Sequence, residues 1–239
     1  MDRNELDVIS PWSRPVTLAY HGVGHVTMEE DPSRLVVSPD NLRAQLGWLA
    51  KRGYRFESAS DLAARGKPAL RTAVVTFDDG WADALETAGQ LSDRGIAATF
   101  FVCPGWWGGH HPDVAGPAGR LLTKDETRDL ASAGIDLGSH SMTHPDLRKL
   151  DDARLAYELS KSKELVEDVS GRECPTLAYP YGLYDDRVVA AAQTAGYRVA
   201  FGWLPGPWRP LAAPRLPGPP RNGARRLALK MLGLKRRGR

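Results

Sequence analysis

The stretch AVVTFDDGWADAL, residues 73–85, decides how the rest of the chain reads. Ala73-Val74-Val75-Thr76-Phe77 is short, β-branched and free of Pro and Gly, the pattern of a strand buried on both faces. It ends abruptly at two adjacent carboxylates, Asp78 and Asp79, and Gly80 lets the chain turn there. An Asp after a strand is often only a turn residue or the N-cap of the next helix. Two neighbouring carboxylates repel, however, so the pair invites a cation or a shared proton.

Outward from this stretch, strands and helices alternate. PVTLAY (15–20) reads as a first strand. The helix after it has Ser38 as its cap, Pro39 in its first turn, Leu42, Leu46 and Leu49 on one face, and Gly53 at its end. A helical stretch from about Trp81 to Arg94 follows the Asp-bearing strand, and AATFFV (97–102) is the next buried strand. The Gly/Pro-rich run 103–119 reads as irregular loop. Thr123–Glu126 is a capping box opening another helix. Then come a strand at 135–140, the longest helix at 151–171, a strand at 176–180, a helix at 185–196 and a strand at 197–203.

This alternation predicts a parallel sheet with crossover helices. About seven repeats in 239 residues suit a barrel better than a small open sheet, so the expected class is α/β in a single domain, although periodicity alone does not choose between the two architectures. In such folds functional groups gather at the carboxyl ends of strands. The expected division is a polar lead-in over 1–14, the strand-and-helix domain over 15–205, and a Pro-rich segment with a basic helix or tail over 206–239.

Bulk properties narrow the classes. A net charge of +3 is too small to argue for nucleic acid, and two cysteines exclude a disulfide framework or a structural zinc site. No run is long enough for a transmembrane helix, and the first residues lack an apolar signal core. The expected location is therefore cytoplasmic. No acidic residue follows Asp186, and the tail RRLALKMLGLKRRGR (225–239) is basic. It reads either as a final helix with Leu227, Met231 and Leu232 facing inward, or as a peripheral contact with the inner face of an anionic membrane.

Three further clusters sit where strands end. His140 and His144 follow the strand run Ile135–Leu137 with the spacing of four used by metal-binding His pairs, although Gly138 and Pro145 argue for a turn rather than a helix. Two imidazoles with one carboxylate make a three-ligand site with open positions, suited to catalytic zinc or a similar divalent ion. Non-haem iron oxygenases use the same ligand types, but the order of residues and the βα background argue against that reading. His21 lies just past the first strand. Tyr179-Pro180-Tyr181-Gly182 forms a tight turn whose backbone N–H groups can face an oxyanion. Trp106 and Trp107, in the loop with His110 and His111, are candidates for stacking on a sugar ring, with the two histidines read as exposed loop residues.

With these residues in hand, the chain resembles the polysaccharide deacetylases, the NodB-homology carbohydrate esterases. TFDDG (76–80) is similar to that family's first motif, SHSMTHPDL (139–147) to its second and LAYPYG (177–182) to its third. The resemblance implies a single-domain distorted (β/α)7-8 TIM-like barrel, one divalent metal, usually zinc, and hydrolysis of the N-acetyl group of an amino sugar in a polysaccharide, oligosaccharide or glycolipid. It implies Asp78 as general base, Asp79, His140 and His144 as metal ligands, and the Tyr181 backbone N–H as an oxyanion donor, with Pro180 beside the substrate. Two departures stand out: Ala178 replaces the Arg that usually opens the third motif and orients the base, and no His follows His144 to serve as the usual late acid. In a branch with AYPYG-type third motifs the acid comes from an early Tyr-His motif, which AYHGV (19–23) resembles, making His21 the candidate acid. A hydrolase of a non-sugar or cyclic amide and a non-catalytic carbohydrate-binding relative are the rival readings.

Overall fold

The structure is a computed structural model and describes residues 11–203, 206–219 and 223–233. The polar residues 1–10 and the KRRGR run at 235–239 lie outside the described residues. The elements in chain order are β1 (Val16–Tyr20), α1 (Pro39–Ala50), β2 (Arg55–Glu57), α2 (Ala59–Arg65), β3 (Thr72–Phe77), α3 (Ala84–Ser92), β4 (Thr99–Val102) and α4 (Lys124–Ser132). They continue with β5 (Asp136–Ser139), α5 (Asp152–Ser170), β6 (Thr176–Ala178), α6 (Asp186–Thr194), β7 (Val199–Gly202), β8 (Ala213–Pro214), β9 (Leu216–Pro217) and α7 (Gly223–Met231).

Every strand pairing is parallel, in the order β8-β7-β6-β5-β4-β3-β1-β9, with β2 added alongside β3. β8 and β9 stand at opposite ends of this path yet are separated by Arg215 alone. One short stretch thus pairs with β7 through Ala213–Pro214 and with β1 through Leu216–Pro217, and the sheet closes into the distorted barrel that the family resemblance implies. The barrel therefore runs past the boundary expected at residue 205. Two-residue staves that each contain a proline carry no periodic signal, so the chemistry of the sequence could not mark them.

The period-two rule sorts the strand residues into two sets. Leu18, Tyr20, Val75, Phe77, Phe100 and Val102 join the helix residues Leu42, Leu46, Leu49, Leu155 and Leu159 in the large outer core. Val74, Phe101, Ala178, Val199, Phe201 and Ala213 face inward and meet Ala59, Leu62 and Ala63 of α2, which plugs the barrel interior. Gly138 belongs to this inner set: a Cβ there would lie 2.2 Å from the Phe101 ring, so only glycine fits beside it.

Local signals act largely as expected. Ser38 caps α1 by accepting from Asn41 N, and Thr123 with Glu126 forms the capping box of α4. α2 and β2 were not anticipated, although Ser58 and Asp61 form a second capping box. α3 begins at Ala84, three residues later than expected, because Trp81 bridges to Leu121 and the Asp83 carboxylate accepts from Val23 N (2.7 Å) instead of capping the helix. α7 packs on α1 with Leu227 fully buried and Met231 against the core, but Leu232 is exposed rather than inward, because the helix has ended at Met231. Among the described residues no helix is long and apolar enough to cross a membrane.

Candidate active site

The strand periodicity that builds the inner core also aims the functional residues. Two residues beyond each inward position stand Asp78 (after Thr76), His140 (after Gly138), His21 (after Ala19) and Arg215 (after Ala213). Four strand ends of one barrel mouth therefore deliver their side chains to one place.

Asp79 adopts φ 74° and Gly80 φ 75°. This left-handed turn, costly for most residues but tolerated by Asp, turns Asp79 toward the His pair instead of letting the strand continue. The Asp79 carboxylate is buried, and its two oxygens face different groups. Oδ1 lies 3.4 Å from His140 Nε2 and 3.6 Å from His144 Nε2, and no hydrogen bond satisfies it. Oδ2 accepts from Trp81 Nε1–H (3.4 Å) and lies 3.4 Å from His111 Nε2.

His140 is buried, and its Nδ1 lies 2.7 Å from the Ala178 carbonyl. A carbonyl only accepts, so Nδ1 carries the proton and Nε2 presents a lone pair toward Asp79. The turn that follows is held in unusual backbone geometry, with Ser141 at φ 63° and His144 at φ 57°. Ser141 Oγ accepts from His144 N, and fully buried Glu158 on α5 accepts both Thr143 N–H (2.8 Å) and Thr143 Oγ–H (2.7 Å). The two imidazoles meet edge to face with centroids 4.7 Å apart, in a turn and not on a helix.

A divalent ion fits this arrangement. Asp79, His140 and His144 each offer one ligand atom, all within 4.8 Å of one another, and the buried Oδ1 otherwise has no partner. An unsatisfied buried carboxylate oxygen facing two imidazole nitrogens is expensive without a cation between them.

Asp78 is equally buried but differently partnered. Its Oδ1 accepts from Arg215 Nη1 at 2.7 Å, and the same Nη1 donates to Thr76 Oγ1 at 3.1 Å. The Arg215 side chain is fully buried, lying over Trp203 and Phe101 with its carbon 4.9 Å and 5.9 Å from their ring centres. Arg215 thus meets the base candidate that lacks an Arg at position 178. Sequence reasoning missed it because it lies 137 residues from Asp78, beyond the expected end of the barrel.

Electrostatics separates the groups. Burial alone would raise Asp78, but Arg215 and then His140 outweigh it and hold the carboxyl below its ordinary range. Asp79 is likewise pushed by burial upward and by its imidazole neighbours well below. Burial, then repulsion from His140, lowers His144 to about 3, so this imidazole is neutral and able to ligate. Burial opposes protonation of His140 too, but Asp78 and then Asp79 outweigh it and raise its pKa, so a proton competes with a cation for Nε2.

The other expected site residues fall at varied distances. His21 Nε2 lies 4.0 Å from Asp79 Oδ2, with its side chain partly exposed. Tyr181 adopts φ 56°, is 56% exposed, and its ring meets His144 edge-on at 4.6 Å. Pro180 is buried beneath this turn. Trp106 tilts over His144 at 5.0 Å, whereas Trp107 packs against the main core with Lys124 near its face. The loop expected to hold two exposed histidines is instead ordered, and His111 is buried behind Asp79.

The polysaccharide deacetylase profile matches residues 65–200, more than half of the chain. YxkH of Bacillus subtilis (strain 168) is 27% identical over 194 residues, covering 79% of this chain and 64% of that protein. A chitooligosaccharide deacetylase of Rhizobium leguminosarum bv. trifolii is 30% identical over 161 residues, covering 63% of each. A poly-β-1,6-N-acetyl-D-glucosamine N-deacetylase of Staphylococcus aureus (strain MRSA252) is 24% identical, covering 69% of this chain and 60% of that one. The chain thus spans just under two thirds of the length of these relatives. Among solved structures, Streptococcus pyogenes deacetylase PplD superposes with TM-score 0.76 at 23% identity, covering 90% and 97% of the two chains. IcaB from Ammonifex degensii gives TM-score 0.69 at 23% identity, covering 85% and 91%, and both likenesses speak to the fold. With its family model matching residues 65–200, this chain belongs to the polysaccharide deacetylase family.

Proposed function

We propose that this protein hydrolyses the N-acetyl group of an amino sugar in an oligosaccharide, polysaccharide or glycolipid, releasing acetate. The observation that carries this reading is the division of labour between adjacent carboxylates. Asp79 turns an unpartnered oxygen to two imidazoles, while Asp78 is held by Arg215 a few ångströms away. Family membership and the named activities of the Rhizobium and Staphylococcus relatives support the substrate class.

Asp79, His140 and His144 would hold the divalent ion, for which this ligand set favours zinc. When bound, such an ion supplies Lewis acidity toward the amide carbonyl and toward water. The protein groups do the rest. Asp78, kept ionised by Arg215, accepts a proton from the attacking water as its oxygen bonds to the acetamide carbon. The Tyr181 N–H donates to the oxyanion, a contact typically worth about 3 kcal/mol. His21, as imidazolium, gives its proton to the nitrogen as the C–N bond breaks, leaving acetate and a free amine. Trp106 beside His144 offers an apolar face to the sugar ring. Arg225 and Arg226, exposed on α7, would suit substrate presented at an anionic surface.

The test is acetate release from β-1,4- and β-1,6-linked N-acetylglucosamine oligomers by zinc-loaded and chelator-stripped protein. Release that needs the metal is expected. Turnover of simple non-sugar acetamides alone would transfer the activity to a different amide, and metal binding without any turnover would make the chain a binding relative.

A further inference from the structure

We infer that His111 is a positioning residue behind the metal carboxylate: it holds Asp79 as a one-oxygen ligand and is not itself a ligand. The inference rests on the metal reading of Asp79, His140 and His144.

His111 comes from the Gly/Pro-rich loop between β4 and α4, and its side chain is 5% exposed. The loop is built to hold it. His111 N donates to Gly119 O (2.7 Å), His110 pairs with Arg120 across an antiparallel bridge, and the His110 ring contacts the Gly116 carbonyl at 2.7 Å. The His111 ring stacks on Trp81 with centroids 4.7 Å apart and planes 21° apart, and Trp106 meets it edge-on at 5.6 Å. Its position and tilt are thereby set by packing, independent of any ion.

The protonation pattern decides its role. His111 Nδ1 accepts from Asp113 N–H at 3.2 Å, and a backbone N–H can only donate. The Nδ1 lone pair is therefore used, and the ring proton sits on Nε2, which faces Asp79 Oδ2 at 3.4 Å. A nitrogen carrying a proton donates and does not ligate. Trp81 Nε1–H faces the same oxygen, so Oδ2 has two donors and Oδ1 has none. With two donors holding Oδ2 to one side, the carboxylate favours ligation through Oδ1 alone. Single-oxygen ligation leaves coordination positions open for water and for the substrate carbonyl, as catalytic sites require.

The test is zinc affinity by chelator competition for wild type, His111→Ala and His111→Gln, with X-ray absorption of the zinc-loaded wild type. His111→Ala should weaken zinc about 10- to 100-fold. His111→Gln, whose amide N–H can still reach Oδ2, should recover most of that loss. The absorption spectrum should fit two imidazoles. Three imidazoles, or an unchanged affinity in His111→Ala, would overturn the inference. Should the Ala variant fail to fold, the wild-type spectrum and the Gln variant still decide it. A wild type that retains no zinc would overturn the metal reading itself, whereas zinc retention without acetate release would overturn only the proposed activity.

Discussion

At the scale of single residues, Asp78 and Asp79 show how one atom of difference in partnering separates two adjacent carboxylates. Asp78 Oδ1 has a guanidinium at 2.7 Å, and Asp79 Oδ1 has only imidazole nitrogens near it. Asp79→Asn, His140→Ala or His144→Ala should each abolish zinc retention, measured by metal analysis after gel filtration. Asp78→Asn should retain zinc yet lower turnover by about 10²- to 10⁴-fold, the usual worth of a general base. Normal acetate release from that variant would remove Asp78 from the role. Arg215→Ala leaves a buried carboxylate without its counter-charge, and such losses typically cost about 3–5 kcal/mol in urea unfolding. A stability equal to wild type would show that the pair contributes nothing.

At the scale of elements, the site is held by groups that lie outside the cluster itself. Glu158 on α5 fixes the 140–144 turn through Thr143, and Arg154 Nη2 donates to its Oε1 at 2.9 Å. Glu158→Ala should therefore weaken zinc binding as well as the fold, a pairing that calorimetry with and without metal would expose. Asp83 does the same for the loop carrying His21 by accepting from Val23 N–H. Burial pushes the Asp83 carboxyl from 3.8 up to about 7. The folded form then binds its proton more tightly than the unfolded form, so ionising it works against folding. Asp83's contribution to stability should be full below about pH 4 and lost as pH rises to about 7. Asp83→Asn should show a shallower decline in Tm across that window; an identical slope would assign the pH dependence to other groups.

At the scale of the whole molecule, closure of the barrel and completion of the site are one event. The stretch that joins β7 to β1 carries Arg215, and the C-terminal residues buckle it in place. Lys230 donates to Pro217 O (2.7 Å), Gln45 Nε2 donates to Pro219 O (2.8 Å), and Tyr20 OH donates to Gln45 Oε1 (2.9 Å). Leu227 anchors α7 with no exposure at all. Leu227→Ala should cost about 2–5 kcal/mol in chemical denaturation. If instead only α7 detached, the loss would be small and the main transition unchanged.

The sequence alone determined the alternating parallel architecture and the convergence of Asp78, Asp79, His140, His144 and His21 on one end of it. That much is legible because strand periodicity and strand ends are local properties: residue spacing alone dictates which face a side chain takes and where a run stops. It could not show that Arg215 would meet Asp78, or that His111 would lie buried behind Asp79. Both contacts join distant segments, one from the single residue between two proline-bearing staves and one from a loop without periodicity. Only closure of the ring and packing of the loop around Trp81 brought those charges and donors together, because contact between residues far apart in the chain is a property of the folded whole.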